Sequence, residues 1–404
     1  MIALLRHYFQ GNLREIQNSR ILRWYGAALA CTHILSFIFW TRGGGANKLS
    51  SVYESAFQFC WPWFESCRFF SSQSPVFFNA YMAVYFGVSL GCFFLFFYKP
   101  GVRGAWWLLF ISSMMKAMLS MQDYRFMGNY HYMVYWVMVT YLFIPQKKTT
   151  ISLLIGLFYF FAGTLKFNAE WLTGLALVKP LEFLPQKLLE WAYAYAVCLE
   201  ILVIWGLFSR KRLVVAAVLL QLVLFHALSY FVVGYFYPSI MACLVSIFIL
   251  RLGEPREFSV ETESVLPIRT SARALLGVFL LCQMVPLFFK GDSALTSQGR
   301  MFSLNMLDAT SKCQTGVYLR YKDRVVETSR PPSPVVVRTQ CDPLVIFEEA
   351  RLLCREHGQD KDFLDLDISL VSVRSSGSSY QTLFSYRDFC SRKLRLTWWG
   401  GLPE

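Results

Sequence analysis

The sequence has little charge for its length. Only 16% of its 404 residues are Asp, Glu, Lys or Arg, whereas a soluble domain usually carries about 25%. Hydrophobic residues make up 55% of the chain, and apolar runs of about 20 residues recur before position 290, long enough to cross a hydrocarbon core of about 30 Å. This composition excludes an ordinary soluble domain and predicts a polytopic membrane protein.

Several familiar motifs are also missing from the sequence. It contains no Walker phosphate loop, no GxGxxG, no CxxC pair and no internal repeat, and its cysteine spacings fit no zinc site. The formal net charge of +13 would suggest nucleic acid as a partner of a soluble protein. Much of it lies in short loops between apolar runs, where basic residues orient helices. No metal and no nucleic-acid partner is therefore predicted.

Nine membrane spans are predicted from the apolar runs. Their approximate ranges are 22–40, 76–98, 104–121, 129–145, 149–167, 187–208, 212–233, 236–252 and 272–289. The first run lacks the small-residue pattern of a cleavage site, so it is interpreted as a retained helix.

Basic residues are concentrated in every second loop along the chain, and this alternation predicts the topology. The leader, "KPGVRG", "QKK", "SRKR" and "RLGEPR" would all share one side of the membrane. The positive-inside rule makes this side the cytoplasm. The predicted order is a cytoplasmic amphipathic leader (1–21), a helical transmembrane domain (22–290) and an extracytoplasmic domain (291–404), in a bacterial periplasm or an endoplasmic-reticulum lumen.

The chain after residue 290 has the pattern of a small α+β domain. "TGVYLRYKDR" and "DLDISLVSVRS" alternate as strands do, and "DPLVIFEEARLLCREHG" has apolar residues at helical spacing. Asp342 is the expected N-cap of this helix and Gly358 its expected end. "SRPPSPVVV" is expected to be a linker. The predicted fold is thus an all-α polytopic membrane protein of about nine helices with a small extracytoplasmic α+β domain.

Two outer loops are rich in aromatic residues. "SAFQFCWPWFESCRFF" (55–70) and the segment 168–186, which includes Pro180 and Pro185, combine apolar residues with prolines. Aromatic side chains favour the headgroup level of a membrane. Both segments are therefore predicted to be interfacial or re-entrant.

The eleven cysteines divide into two groups. Five lie inside predicted spans and are expected to be packing residues: Cys31, Cys92, Cys198, Cys243 and Cys282. Six are assigned to the outer side and are candidates for disulfides: Cys60, Cys67, Cys313, Cys341, Cys354 and Cys390. Fifteen pairings of these six are possible.

Ionisable residues within the spans indicate a site, because charge inside a membrane is costly. His33, Lys116, His131, Lys166 and His226 are predicted in the outer half of the membrane, with Glu200 nearer the midplane. They could converge on one outward-facing pocket. Structural alternatives remain for four of them: Lys166 could snorkel to the headgroups, His131 could lie at the interface, His226 could be a packing histidine, and Glu200 could pair with a neighbouring helix.

Four stretches, in order, resemble one family. "AGTLKFNAEW" (162–171) is similar to a signature of the vitamin K-dependent gamma-carboxylases and their horizontally transferred transmembrane (HTTM) relatives. "FHALSYFVVGYFYPSIMACL" resembles the later histidine helix of that family, and "GNYHYMVYW" its earlier asparagine–histidine stretch. "FSLNMLDATSKCQTGVYLRYKDR" resembles a segment after the last span. The chain ends at Glu404, without the large luminal portion of the animal enzymes, and so resembles a shorter member.

The resemblance implies a particular chemistry. In the family, a lysine is proposed to deprotonate reduced vitamin K. Oxygen then adds, a γ-proton of a glutamate is removed, and carbon dioxide is captured. Lys166 matches this lysine, and His226 and His131 match the two histidines, so these three are the candidate catalytic residues. Lys116, Asn168, Trp171 and Glu200 are candidate quinone-binding residues.

The implied function is a quinol-dependent oxygenase and carboxylase. Its cosubstrates would be reduced vitamin K or a related quinol, oxygen and carbon dioxide, and its partners would be membrane lipid, a lipophilic quinone and a peptide or protein glutamate. The alternative is a non-enzymatic binder or carrier of quinones or lipids with the same fold. A transporter is the weakest interpretation, because the sequence lacks the inverted repeats common in that class.

Overall fold

The computed structural model describes residues 2–42, 59–64, 67, 69–70, 73–124, 127–177, 185–253, 270–305, 311–328 and 341–403. Within these ranges the chain is mostly helical, and a small sheet follows the last long helix. The helices are α1 (Ile2–Asn18), α2 (Arg20–Arg42), α3 (Pro75–Leu95), α4 (Val102–Met121), α5 (Asn129–Phe143), α6 (Lys147–Lys166), α7 (Ala169–Leu172), α8 (Gln186–Ile201), α9 (Arg212–Val233), α10 (Phe236–Leu252), α11 (Thr270–Met284), α12 (Ser293–Thr296) and α13 (Pro343–His357). The strands are β1 (Ser311–Tyr321), β2 (Val325–Glu327), β3 (Phe363–Arg374) and β4 (Gln381–Tyr386).

Five segments in the described part of the chain are helical, long and apolar enough to cross a membrane. They are Arg20–Thr41, Pro75–Leu95, Lys147–Lys166, Arg212–Val233 and Thr270–Phe288. The membrane class predicted from composition is therefore supported. Helices also form at the other four predicted spans, as α4, α5, α8 and α10. That these four cross the membrane stays a prediction.

The helices pack closely around one apolar core. Helix α2 lies against α3 and α10, and α6 lies against α8. Gly26 of α2 illustrates how close the approach is, because a Cβ there would lie 2.4 Å from the Tyr141 hydroxyl and 2.6 Å from the Phe96 ring. Small residues at such crossings let membrane helices approach at short range.

The leader helix α1 is attached to the start of α6. The Glu15 carboxylate accepts hydrogen bonds from the backbone N–H groups of Gln146 (3.1 Å) and Lys147 (2.6 Å). The buried Lys147 Nζ donates to Asn12 Oδ1 at 2.9 Å and to the Ile144 carbonyl at 2.8 Å. An acidic group at a helix N-terminus also complements the helix dipole, so α1 packs as part of the bundle.

The chain that follows the last long helix forms a sheet domain, a four-stranded antiparallel sheet covered by α13. The strand order is β2-β1-β3-β4, and buried pairs such as Val317 and Ile368 set the register. Asp342 caps α13 by accepting from the Leu344 N–H at 3.0 Å, and the helix ends at His357, before Gly358. The predicted strands, helix and caps are confirmed, whereas the predicted linker 329–337 lies outside the described residues.

Part of the aromatic loop 55–70 belongs to the core of the sheet domain. Phe59 and Trp61 pack in one cluster with residues of β1, β3 and α13. Trp61 Nε1 donates to the Ser120 carbonyl at 3.0 Å, and the Phe59 N–H donates to Asp123 Oδ2 at 3.2 Å. This loop therefore connects the end of α4 to the sheet, a role that its composition alone did not reveal.

The six cysteines that were candidates for disulfides form three bridges. The pairs are Cys60–Cys67, Cys313–Cys341 and Cys354–Cys390. The expectation that at least one bridge forms is confirmed, and one of the fifteen pairings is now assigned. The five cysteines in the helices are free thiols, as expected.

Candidate functional site

The centre of the candidate site is an ion pair between α6 and α8. Lys166 Nζ lies 2.5 Å from Glu200 Oε1 and 2.6 Å from Oε2, and the Glu200 side chain is fully buried. Gly163 permits this approach, because a Cβ there would meet Ile201 Cγ1 at 2.7 Å and Glu200 Cβ at 2.9 Å. The glycine one turn before the lysine thus lets the two helices come close enough for contact.

Aromatic rings surround the ammonium group of Lys166. Its Nζ lies 5.3 Å from the centroid of the Phe225 ring and 5.7 Å from that of Trp171. Aromatic faces attract cations more strongly where water is excluded. The pair therefore lies at the edge of an apolar enclosure. Lys166 contacts an acid across the helix interface, so it is not simply an anchor reaching for headgroups.

His226 lies beside this pair. Its Nε2 is 2.6 Å from the Tyr159 hydroxyl, its ring centroid is 5.6 Å from that of Tyr237, and it interacts electrostatically with Lys166. Its Nδ1 has no hydrogen-bond partner within the described ranges. The Tyr159 hydroxyl can donate to Nε2 or accept from it, depending on the tautomer, and in either case Nδ1 remains available to bind or release a proton.

Sequence reasoning missed the two tyrosines of this cluster. Tyr159 and Tyr237 both interact electrostatically with Glu200. A signal for Tyr159 was present, because it precedes Lys166 by seven residues on a helix, and such a spacing puts both side chains on one face. Tyr237 had no comparable signal, since its position depends on how α10 packs.

Asn168 and Trp171 have distinct roles at the end of α6. Asn168 caps the short helix α7 by accepting from the Trp171 N–H at 3.0 Å, and its amide donates to the Leu165 carbonyl at 2.8 Å. Both hydrogen bonds are local, so Asn168 shapes the turn that places the Trp171 ring over Lys166. Of these two residues, Trp171 contacts the Lys166–Glu200 pair and Asn168 does not.

The predicted single pocket is divided into two clusters. His131 and Lys116 do not join Lys166, because the first turn of α10 lies between the clusters. Phe236 contacts His131 with ring centroids 5.6 Å apart, whereas the next residue, Tyr237, contacts His226. Lys116, His131 and His33 interact electrostatically with one another and form a group of their own.

The sheet is linked to the loop that carries Trp171. Arg374 of β3 contacts Glu170 Oε2 at 3.4 Å and Asp292 Oδ2 at 2.5 Å, and the Ser376 hydroxyl donates to Glu170 Oε1. Burial alone would raise the pKa of Glu170, but the hydrogen bonds and the Arg374 charge outweigh burial and hold that pKa below its usual value. Glu170 is therefore a carboxylate that attaches the sheet domain to the turn beside Lys166.

A cleft separates this domain from the helix ends. It holds about 30 Å³ of space for water-sized molecules, and its lining includes Tyr132, Arg300 and Asn305. Arg300 Nη1 is paired with Asp342 Oδ2 at 2.7 Å.

The described ranges contain no group of three His, Cys, Asp or Glu side chains placed to hold a metal ion. The side chains of the Lys166 cluster supply an amine, a carboxyl group, an imidazole and two phenols. No protein-family model, no curated protein and no solved structure matches the chain. The function is consequently inferred from the site itself.

Proposed function

We propose that the protein is an integral membrane enzyme that deprotonates a lipophilic quinol, as an oxygenase and carboxylase similar to the vitamin K-dependent gamma-carboxylases. The observation that carries this proposal is the buried contact between Lys166 and Glu200. Ion pairs buried in a low-dielectric region are costly to maintain, and ionisable groups within membrane spans commonly mark functional sites.

The two side chains can act as one base. An ammonium group accepts no proton, so Lys166 must first lose one, and Glu200 is within 2.6 Å to receive it. The transfer converts a charged pair into a neutral amine and a neutral acid, which an apolar site accommodates at less cost. The amine can then accept the hydroxyl proton of a bound quinol.

The neighbouring residues suit a hydrophobic substrate. The rings of Phe225 and Trp171 lie beside Lys166, and α9 exposes Leu220, Val223 and Leu224 to its surroundings. A quinol with an apolar tail would approach along such a helix, and exclusion of water would protect its reaction with oxygen. We assign His226, with Tyr159, to hold a proton close to the substrate.

An assay for quinone epoxide tests this function. Purified protein is incubated with reduced quinone, oxygen and isotopically labelled bicarbonate, and the products are analysed by mass spectrometry. The expected result is quinone epoxide that depends on the protein, with labelled carboxyl groups when a glutamate peptide is added. Epoxide without carboxylation would support only the oxygenase half, and quinol recovered unchanged with every quinone tried would contradict the proposal.

A non-enzymatic quinone or lipid binder is the second candidate. The observation in its favour is that both oxygens of Glu200 already contact Lys166, so the pair is satisfied without a substrate. A binder would protect quinol from oxidation, whereas the enzyme would consume it. Following quinol absorbance under oxygen with the protein in excess distinguishes the two functions.

We further propose a cytoplasmic N-terminus and an outer domain in an oxidising compartment, because disulfides persist in such compartments. Intact cells are lysed in a membrane-permeant alkylating reagent without reductant, and peptides are mapped. Cys313, Cys341, Cys354 and Cys390 are expected to be protected until reduction, in the pairs given above, while Cys198 serves as a free-thiol control. Alkylation of all four outer cysteines without reductant would contradict the proposed sidedness.

A further inference from the structure

The second buried cluster contains a lysine that has no counter-ion among the residues that the structure describes. Lys116 of α4 is 0% exposed, and within the described ranges its Nζ has no hydrogen-bond partner. The Nζ lies 5.7 Å from the centroid of the Tyr135 ring. The two other buried lysines differ, because Lys147 donates to Asn12 and Ile144 and Lys166 contacts Glu200.

A histidine without partners lies in the same cluster. His131 is 1% exposed, and neither of its ring nitrogens has a hydrogen-bond partner among the residues described. It interacts electrostatically with Lys116. Buried polar groups are nearly always hydrogen-bonded, so an amine and an imidazole that both lack partners indicate a missing ligand.

His33 is not the proton acceptor of this cluster. The Ser113 hydroxyl donates to the Leu109 carbonyl at 2.8 Å, so it accepts from His33 Nε2, 3.5 Å away. The other nitrogen, Nδ1, then accepts from the Tyr85 hydroxyl at 2.9 Å. Both ring nitrogens of His33 thus have a neighbour, whereas among the described residues those of His131 have none.

The enclosure restricts what can reach Lys116. An isolated ammonium group in a membrane costs several kcal/mol, and proteins avoid that cost by pairing the charge or losing the proton. A charged solute would have to lose its hydration shell to enter, whereas a small uncharged molecule dissolves in the apolar surroundings. An uncharged lysine amine is a nucleophile, so the fitting ligand is a small, uncharged electrophile.

We propose that Lys116 binds carbon dioxide as a carbamate. The Nζ lone pair forms a bond to the carbon of CO₂, and one C=O electron pair moves to oxygen. Nζ releases one proton, which passes to a ring nitrogen of His131. The product is a carbamate anion beside an imidazolium, so one reaction supplies both unpartnered groups with an ionic partner.

This carbamate is independent of the proposed function. It requires neither a quinol nor the Lys166–Glu200 pair, because the two clusters lie on different sides of the first turn of α10. Failure of the epoxide assay would leave the carbamate standing, and failure to detect the carbamate would leave the quinol chemistry standing.

Chemical trapping tests the carbamate on the intact protein. Full-length protein in detergent is equilibrated with ¹³C-labelled bicarbonate, alkylated with a trialkyloxonium salt and digested, and the lysine peptides are analysed by mass spectrometry. The label is expected on Lys116 and not on Lys147 or Lys166, which are buried lysines with hydrogen-bond partners in the same digest. An unlabelled Lys116 at saturating bicarbonate, or equal label on the three lysines, would overturn the proposal.

A matched pair of variants tests the role of His131. His131→Gln should lower the labelled fraction of Lys116 by about tenfold or more, because it removes both the proton acceptor and the counter-ion. His357→Gln, on α13 of the sheet domain, should leave that fraction unchanged. A labelled fraction unaffected by His131→Gln would exclude the ion pair, and if that variant does not fold, the comparison of the three wild-type lysines decides alone.

Discussion

Replacing Lys166 by arginine is expected to lower the rate of quinol oxidation by about 10²–10⁴-fold, the usual cost of losing a general base. Arginine keeps the positive charge and can form two hydrogen bonds to the Glu200 carboxylate. It does not deprotonate at any accessible pH, so the transfer to Glu200 that creates a free amine is blocked. The rate is measured by quinol absorbance under oxygen, at equal amounts of folded protein.

The control for this variant is Lys187→Arg. Lys187 is exposed near the start of α8, the helix that carries Glu200. Lys187→Arg is therefore the same substitution made outside the site. The control should retain the wild-type rate. Equal rates for Lys166→Arg and wild type would mean that Lys166 is a structural cation, and the binder would become the leading candidate.

Local sequence patterns predicted much of the helical framework and part of the site. Lys166 and Glu200 stood out because ionisable residues inside spans are unusual, and Trp171 because it belongs to the stretch that resembles the family signature; the structure brings them together with His226. Their pairing was not predictable, since Lys166 and Glu200 are 34 residues apart. It depends on the crossing of α6 and α8 at Gly163.

The division of the buried ionisable residues into two clusters could not be predicted from the sequence either. His131 and His226 are both buried histidines in outer halves of predicted spans, and depth along a helix was the only coordinate available for them. Packing between the helices fixes the direction in which each histidine side chain points around its helix axis. The aromatic residues that start α10 fill the space between them, and no pattern within a single helix specifies such a contact.

Removing the charge of Glu200 is expected to have the largest effect on stability. Glu200→Gln leaves Lys166 buried without its ionic partner, and breaking a buried pair on one side typically costs about 3–5 kcal/mol. The free energy of unfolding of the helical domain should fall by this amount in a reversible denaturant titration in detergent. Glu190→Gln is the matched control, because Glu190 is exposed on the same helix and should change stability by less than about 0.5 kcal/mol.

The double variant Lys166→Met/Glu200→Gln distinguishes the loss of a pair from simple damage to packing. Replacing both members of a buried ion pair by uncharged residues is often neutral or stabilising, so the double variant should recover most of the stability that Glu200→Gln loses. It should remain inactive, because no amine is left to accept the quinol proton. A double variant that is less stable than Glu200→Gln would show that the two charges do not stabilise each other in the membrane. A double variant that is stable and still oxidises quinol would place the base at another residue.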